Sequence, residues 1–143
     1  MIKKILTLSL ITGILISSFS CSRTESSSSE DSSNSSTTTT NTWVKLTATT
    51  SAGVNKPNYI IMMFDQAVTS ATALPPIKAQ VTTDSNGLAY FDLNSMITSS
   101  DPKTYYFEAF VSNGSGGYTW KSVTHYSTSL KKGTMSTSSI IVN

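Results

Sequence analysis

The segment Thr82–Leu93 constrains the fold of this chain more than any other stretch. It contains Asn86-Gly87, a pair that readily adopts the positive backbone angles of a tight two-residue turn. The flanking runs Ile77–Val81 and Leu88–Leu93 both alternate between apolar and polar residues, as half-buried β-strands do. The sequence therefore predicts a β-hairpin, around which the other strands are arranged. The hairpin residues expected to point inward are Ala89, Phe91 and Leu93.

Seven short runs after residue 42 have the character of strands, and none of the sequence there has convincing helical periodicity. In the first run, Val44, Leu46 and Ala48 share one face. The run Tyr59–Phe64 is apolar on both faces and is expected inside a sheet, whereas the prolines of Asp65–Pro76 indicate a loop. This pattern is typical of an all-β fold, a seven-stranded antiparallel β-sandwich of the immunoglobulin or prealbumin type. The predicted strands are Trp43–Thr50, Tyr59–Phe64, Ile77–Val81, Leu88–Leu93, Thr104–Ser112, Tyr118–Ser127 and Ser138–Val142.

Residues 1–20 have the pattern of a secretory signal peptide. Met1–Lys4 is basic, and Ile5–Ile16 is a mostly apolar run that is too short for a membrane span of about 20 residues. The only cysteine, Cys21, follows immediately. The segment resembles the signal peptide of a bacterial lipoprotein, in which such a cysteine becomes the lipid-modified first residue, although Ser18 and Phe19 depart from the usual pattern. The alternative is an ordinary cleaved signal that leaves Cys21 as an unmodified thiol.

Residues 21–42 are expected to form a tether between this lipid and the folded domain at 43–143. Ser22–Thr42 contains nine serines and six threonines in twenty-one positions and no apolar residue. Such a segment cannot bury enough surface to offset its ordering entropy, so the sequence predicts disorder. A flexible coil of this length has a typical end-to-end distance of about 25 Å.

The charge balance argues against nucleic acid as a partner. The full chain has a formal charge of +2, but Lys3 and Lys4 would leave with the signal peptide. From Cys21 onward, eight Lys and Arg residues face eight Asp and Glu residues. The mature protein is therefore close to neutral, and its charge balance does not suggest an electrostatic attraction to nucleic acid.

No combination of residues indicates an enzyme, a metal site or a cofactor. His125 is the only histidine, and no nucleophile-elbow motif accompanies it, so we interpret it as a surface residue. A zinc site needs three or four ligands, which one histidine and Cys21 cannot supply. Asp84, Asn86 and Asp92 could surround calcium, but Asp and Asn are also the residues that turns prefer. The sequence therefore predicts a non-enzymatic protein.

The turn and the strand that follows it carry a family resemblance. Thr83–Leu93, with Tyr105–Ala109 after a loop, resembles the core motif of transthyretin-like domains, which include carboxypeptidase regulatory-like domains and the Cna B-type repeats of bacterial adhesins. The resemblance implies a β-sandwich but no particular function. The enzymatic branch, the hydroxyisourate hydrolases, has several histidines and a Tyr-Arg-Gly-Ser ending that this chain lacks.

The adhesin branch also suggests a cross-link. Some of its domains join a lysine of the first strand to an asparagine of the last strand, assisted by a buried acid. Lys45, Asn143 and Glu108 fall in roughly those strands. The alternation of the first strand opposes this hypothesis, because it turns Lys45 away from the apolar face.

Four aromatic residues are candidates for ligand binding, because each can lie opposite the inward residues of its strand. Exposed aromatic side chains can stack on sugars or anchor a protein partner; the alternative is that Tyr118 and Trp120 belong to the core. The four are Tyr106, Phe110, Tyr118 and Trp120.

The sequence thus predicts an exported lipoprotein that the lipid on Cys21 holds on a bacterial membrane. We expect this to be the outer membrane, with the domain on its periplasmic or its surface side. Its β-sandwich would be a binding or structural module. The alternatives are a carbohydrate-binding accessory lipoprotein and a secreted inhibitor or chaperone-like module that binds protein through a strand edge.

Overall fold

A computed structural model describes residues 40–143, and this part of the chain is all β, with no helix. The predicted signal peptide, Cys21 and the tether up to residue 39 lie outside the described residues. Nothing in residues 40–143 is helical and apolar enough to cross a membrane. The strands are β1 (Trp43–Thr49), β2 (Ile60–Phe64), β3 (Ile77–Thr82), β4 (Leu88–Asp92), β5 (Lys103–Ser112), β6 (Tyr118–Trp120), β7 (Tyr126–Leu130) and β8 (Met135–Ile141).

The eight strands form two sheets. The small sheet has the order β4-β1-β8, and the large sheet has the order β3-β2-β5, with β6 and β7 both paired to the remaining edge of β5. All pairings are antiparallel except that of β1 with β8, which is parallel. The prediction of seven purely antiparallel strands is therefore wrong in the number of strands and in one pairing, because alternation along a strand does not specify the direction of its neighbour.

The core lies between the two sheets and is built from residues of both. Along β1, Val44, Leu46 and Ala48 are fully buried, as predicted. Phe91 of the small sheet packs edge-on against Phe107 of the large sheet, with ring centroids 5.4 Å apart and planes at 75°. This shared core makes the architecture consistent with a β-sandwich. The predicted inward residues of β4 and the segment after it are also buried, namely Ala89, Phe91 and Leu93.

The predicted sixth strand, Tyr118–Ser127, is two strands separated by a bulge. β6 pairs with β5 at Phe110–Ser112, and β7 pairs with it at Lys103–Phe107. Only residues 108 and 109 of β5 lie between these paired stretches, whereas residues 121–125 lie between β6 and β7. The three additional residues cannot fit the ladder, so the chain leaves the sheet there and returns.

The bulge at residues 121–125 joins the large sheet to the last strand of the small sheet. The amide of Val123 donates to the carbonyl of Ile141 at 2.7 Å, and the amide of Asn143 donates to the carbonyl of Lys121 at 3.1 Å. Thr124 accepts a hydrogen bond from the Ile141 amide through its hydroxyl at 2.9 Å. The extra residues therefore close one side of the two-layer structure.

The turn at Asn86-Gly87 lies at the predicted position but has a different geometry. Its backbone is closed by the amide of Asp84 donating to the carbonyl of Leu88, so three residues, 85–87, form the loop. Only Gly87 has a positive φ, +73°, and the carboxylate of Asp84 accepts the amides of Asn86 and Leu88 at 2.8 and 2.9 Å. This arrangement corresponds to the next commonest hairpin loop rather than to a two-residue turn.

The two strands beside this turn also separate into different sheets. The buried hydroxyl of Thr83 donates to the carbonyl of Lys56 and accepts the amide of Tyr59, which holds the end of β3 beside β2. The carbonyl of Gly87 accepts the amide of Ala48, which holds the start of β4 beside β1. The predicted hairpin is therefore a corner between sheets, because longer-range hydrogen bonds determine the partners of each strand.

The outer face of the large sheet carries a second apolar layer. Met62 and Phe64 of β2 pack there with Phe110 of β5, and Val68 from the predicted loop covers them. We call this group the outer layer; its partly buried members are Ile60, Leu74, Tyr106 and Trp120.

Candidate functional site

The four predicted ligand-binding aromatics share the outer face of the large sheet but do not form an exposed strip. Phe110 is fully buried, and Tyr106 and Trp120 are partly buried in the outer layer. Tyr118 is the most exposed of them, and its ring contacts that of Phe110 edge-on at 6.3 Å. The assignment of these residues to one face is correct, but the segment between β2 and β3 covers much of that face.

A buried carboxylate lies among these aromatic side chains. Glu108 lies between Tyr106 and Phe110 on the same face of β5, and only 2 % of its surface is exposed. Its Oε2 accepts the indole N–H of Trp120 at 3.0 Å, and its Oε1 lies 2.8 Å from Nδ1 of His125. A carboxylate in an apolar layer requires such partners, because its desolvation is otherwise costly.

The bulge positions His125 for this contact. Because the chain returns to the sheet at Tyr126, the preceding residue lies beside Glu108, and the His125 and Trp120 ring centroids are 5.4 Å apart. The side chain of His125 remains 62 % exposed. Sequence reasoning predicted a surface histidine and missed the contact with Glu108, since the register break that creates it has no local signal.

The chemistry available at Glu108 and His125 is limited. The carboxylate fixes the orientation of the imidazole through Nδ1, which is the way a carboxylate orients a histidine in hydrolases and metal sites. In residues 40–143, however, no group of three His, Cys, Asp or Glu side chains is placed to hold a metal ion. The nearby Ser122 hydroxyl accepts the amide of Ala109 at 2.7 Å and so has a structural role.

A charged group lies at the start of the segment that covers the outer layer. Asp65 follows β2, and its carboxylate forms ion pairs with Lys78 at 3.0 Å and Lys103 at 3.2 Å. The hydrogen bond from Lys78, followed by that from Lys103, lowers the pKa of Asp65. These ion pairs connect the covering segment to β3 and β5.

The outer face of the small sheet carries a different aromatic group, which we call the Trp43 cluster: Trp43, Lys45 and Tyr90. Trp43 and Lys45 alternate with the buried residues of β1, and the register of β1 with β4 places Tyr90 opposite Lys45. The Trp43 and Tyr90 ring centroids are 6.2 Å apart, with planes tilted by 37°. The Lys45 Nζ lies 4.8 Å from the Trp43 centroid and 5.5 Å from the Tyr90 centroid, within cation–π distance of both.

No protein-family model matches this chain, and no curated protein matches it.

The remaining sequence-derived candidates are separated in the structure. Asp84 is engaged in the turn, and the Oδ1 of Asp92 accepts the backbone and side-chain N–H groups of Asn94. Lys45 contacts aromatic rings on the small sheet, whereas Glu108 is on the outer face of the large sheet. Lys45, Glu108 and Asn143 thus do not form the common site that an isopeptide cross-link requires, and the predicted lipidation residue, Cys21, lies outside the described residues.

A shallow depression of about 300 Å³ lies where the connection between β4 and β5 meets β7. It combines apolar side chains with a lysine and lies at the lower end of the size range of ligand pockets. The residues that line it include Met96, Ile97, Pro102, Lys103, Tyr105 and Leu130.

Proposed function

We propose that the protein is an exported, lipid-anchored and non-enzymatic binding module. In this proposal residues 1–20 are a signal peptide, Cys21 carries the lipid, and the Ser/Thr-rich segment holds the domain away from a bacterial membrane. Each buried methylene of an acyl chain contributes about 0.8 kcal/mol, so several chains hold a protein on a membrane without a spanning helix.

The observation that carries the proposal is the way the domain begins. Thr42 is the last residue of the Ser/Thr-rich segment and is 1 % exposed, so the predicted disorder does not extend to it. Its hydroxyl accepts the amide of Gly133 at 2.8 Å, its amide donates to Asn94 at 2.7 Å, and its carbonyl accepts the amide of Leu93 at 2.9 Å. These bonds connect Thr42 to the segment directly after β4 and to the turn that precedes β8. The residue that leads into β1 is therefore fixed at one end of the small sheet, which suits a domain displayed on a tether.

We further propose that the domain belongs with transthyretin-like, prealbumin-type sandwiches. The parallel pairing of β1 with β8 supports this, since the adhesin branch cross-links its first and last strands and so needs them side by side. The sole histidine contacts Glu108 and Trp120, and its 2.8 Å contact with the carboxylate is consistent with a structural role in a non-enzymatic domain.

Mass spectrometry of the natively expressed protein tests the anchor. We expect a mature chain that begins at Cys21, carries acyl chains and fractionates with membranes, and we expect a Cys21→Ser variant to lose the acyl mass and leave the membrane fraction. A wild-type chain with an unmodified thiol in the soluble fraction would contradict the proposal. The same spectrum reports a cross-link at Lys45 as a loss of ammonia, and we expect none.

A further inference from the structure

The outer face of the small sheet is accessible and is arranged differently from the outer face of the large sheet. The large sheet is covered by Val68 and its neighbours, whereas on the small sheet Tyr90 is 45 % exposed and Met135 is 62 % exposed. The register of β1 with β8 places Met135 beside Trp43. The Trp43 cluster therefore lies on an open surface that begins at the residue following the tether.

Within residues 40–143, the positive charge of Lys45 is oriented by aromatic rings and forms no ion pair with an acid. Among residues 40–143 the ion pairs join Lys78 and Lys103 to Asp65 and His125 to Glu108, and none involves Lys45. The ring faces of Trp43 and Tyr90 hold the ammonium by cation–π attraction, worth about 0.5–1 kcal/mol at an exposed site. An ammonium group has three N–H donors, so it can still bind an anion.

Hydroxyl groups surround the cluster on the side of β8. Thr137 lies opposite Lys45, and Ser139 lies opposite Thr47, and both β8 residues are exposed on the outer face. A surface that combines two aromatic rings, one cation and several hydroxyls matches a sugar ring, which offers a C–H face, hydroxyl groups and, in uronic acids, a carboxylate.

We propose that the Trp43 cluster binds a uronic-acid saccharide, with the sugar carboxylate on Lys45 and the ring stacked on Tyr90 or Trp43. This inference rests on the proposed function as a displayed binding module and names its ligand class. The cluster offers a single ammonium, which can pair with the one carboxylate of a uronic acid. A densely sulfated saccharide would need several cations and is a poorer match.

The test compares oligogalacturonate with a neutral galactose oligomer of the same length, using the full-length protein in detergent and isothermal titration calorimetry. We expect the acidic oligomer to bind more tightly, and its affinity to fall as salt is raised. Lys45→Met keeps the side-chain stem but removes the charge. It should lower the affinity for the acidic oligomer about tenfold or more, so that the acidic oligomer no longer binds more tightly than the neutral one. Lys45→Arg should retain binding within about threefold, because the charge remains.

Matched controls lie on the large sheet. Lys121→Met removes a lysine of the bulge, and Tyr118→Thr removes the exposed aromatic of β6; neither should change the affinity for oligogalacturonate. Tyr90→Thr changes an exposed position of the edge strand β4. It should lower the affinity for both oligomers, because it removes the stacking surface rather than the charge.

Three outcomes would overturn the inference. The first is equal affinity for the acidic and neutral oligomers, and the second is unchanged affinity for the acidic oligomer in Lys45→Met. The third is that neither oligomer binds, while the protein binds vesicles containing phosphatidylglycerol in a way that depends on Lys45. Acylation and membrane fractionation are measured on the same preparation. An acylated, membrane-bound protein that fails the sugar test would therefore retract the ligand class and leave the anchor proposal intact.

Discussion

The imidazole of His125 is fixed to the carboxylate of Glu108, with Nδ1 2.8 Å from Oε1, although the first side chain is largely exposed and the second is buried. The other oxygen of the carboxylate accepts the indole N–H of Trp120. One buried acid therefore connects β5, β6 and the end of the bulge. The contact is on the outer face of the large sheet, outside the core shared by the two sheets.

We expect Glu108→Ala to lower the free energy of unfolding by about 2–3 kcal/mol, because the partners of the carboxylate lose their acceptor in a partly buried site. Glu108→Gln keeps an acceptor for Trp120 and should lose only about 1 kcal/mol. Urea unfolding followed by tryptophan fluorescence measures both. Asp101→Asn, on an exposed loop, is the control, and equal stability of Glu108→Ala and Asp101→Asn would contradict the role assigned to Glu108.

The bulge gives a second prediction, at Ser122. Its hydroxyl accepts the amide of Ala109, a residue with no exposed surface, at 2.7 Å. Ser122→Ala leaves that buried N–H without its acceptor and should lower the free energy of unfolding by about 1–3 kcal/mol. Ser127→Ala, at an exposed position of β7, should change it by less than about 0.5 kcal/mol. Equal midpoints of the two variants in urea would show that water replaces the hydroxyl.

Burial along individual strands was predictable from the sequence, because it depends on local alternation. The fully buried Val44, Leu46 and Ala48 follow the predicted pattern, and β2 lies inside a sheet as its two apolar faces indicate. The pairing of strands was not predictable in the same way. The turn at Asp84–Leu88 lies at the expected position, yet the strands on either side join different sheets through longer-range contacts. The bond between Thr83 and Lys56 spans 27 positions, and that between Ala48 and Gly87 spans 39.

In the candidate sites, too, local alternation was predictable from the sequence, whereas contacts between distant segments were not. The common face of Tyr106 and Trp120 follows from alternation, but their cover by Val68 depends on the path of an irregular segment. The outward direction of Lys45 was also predicted. Its place between two aromatic rings required the β1–β4 register, which brings Tyr90 opposite it and is not encoded in either strand alone.

Asp65 gives a pH-dependent prediction. Hydrogen bonds from Lys78 and then Lys103 lower the pKa of Asp65 below the usual value of an aspartate, so the folded state favours the charged carboxylate. A lowered folded-state pKa contributes stability above the unfolded pKa, and this contribution is lost as the pH falls through the folded value. We therefore expect Asp65→Asn to unfold at lower urea concentration than the wild type at pH 6, with the difference shrinking below about pH 4.

The control for this experiment is Asp101→Asn, since among the described residues Asp101 forms none of the ion pairs. High salt should reduce the effect of Asp65→Asn at pH 6, because the lysine side chains are partly exposed. A difference between wild type and Asp65→Asn that stays constant from pH 6 to pH 3 would show that the ion pairs do not contribute.

The last prediction concerns Gly87, which lies at the corner between the two sheets. Its φ of +73° is unfavourable for other residues, and a Cβ there would lie 2.9 Å from both the carbonyl oxygen of Ala48 and the amide nitrogen of Lys56. Gly114 has a similar φ of +78°, but a Cβ at that position meets no atom within 4 Å. Gly114→Ala should therefore cost about 1 kcal/mol from backbone strain, whereas Gly87→Ala should cost about 3 kcal/mol or more, because backbone atoms of two segments must also move. Thermal and urea unfolding of the two variants separates strain from crowding, and equal losses would mean that the contact of Gly87 with β1 does not hold the corner.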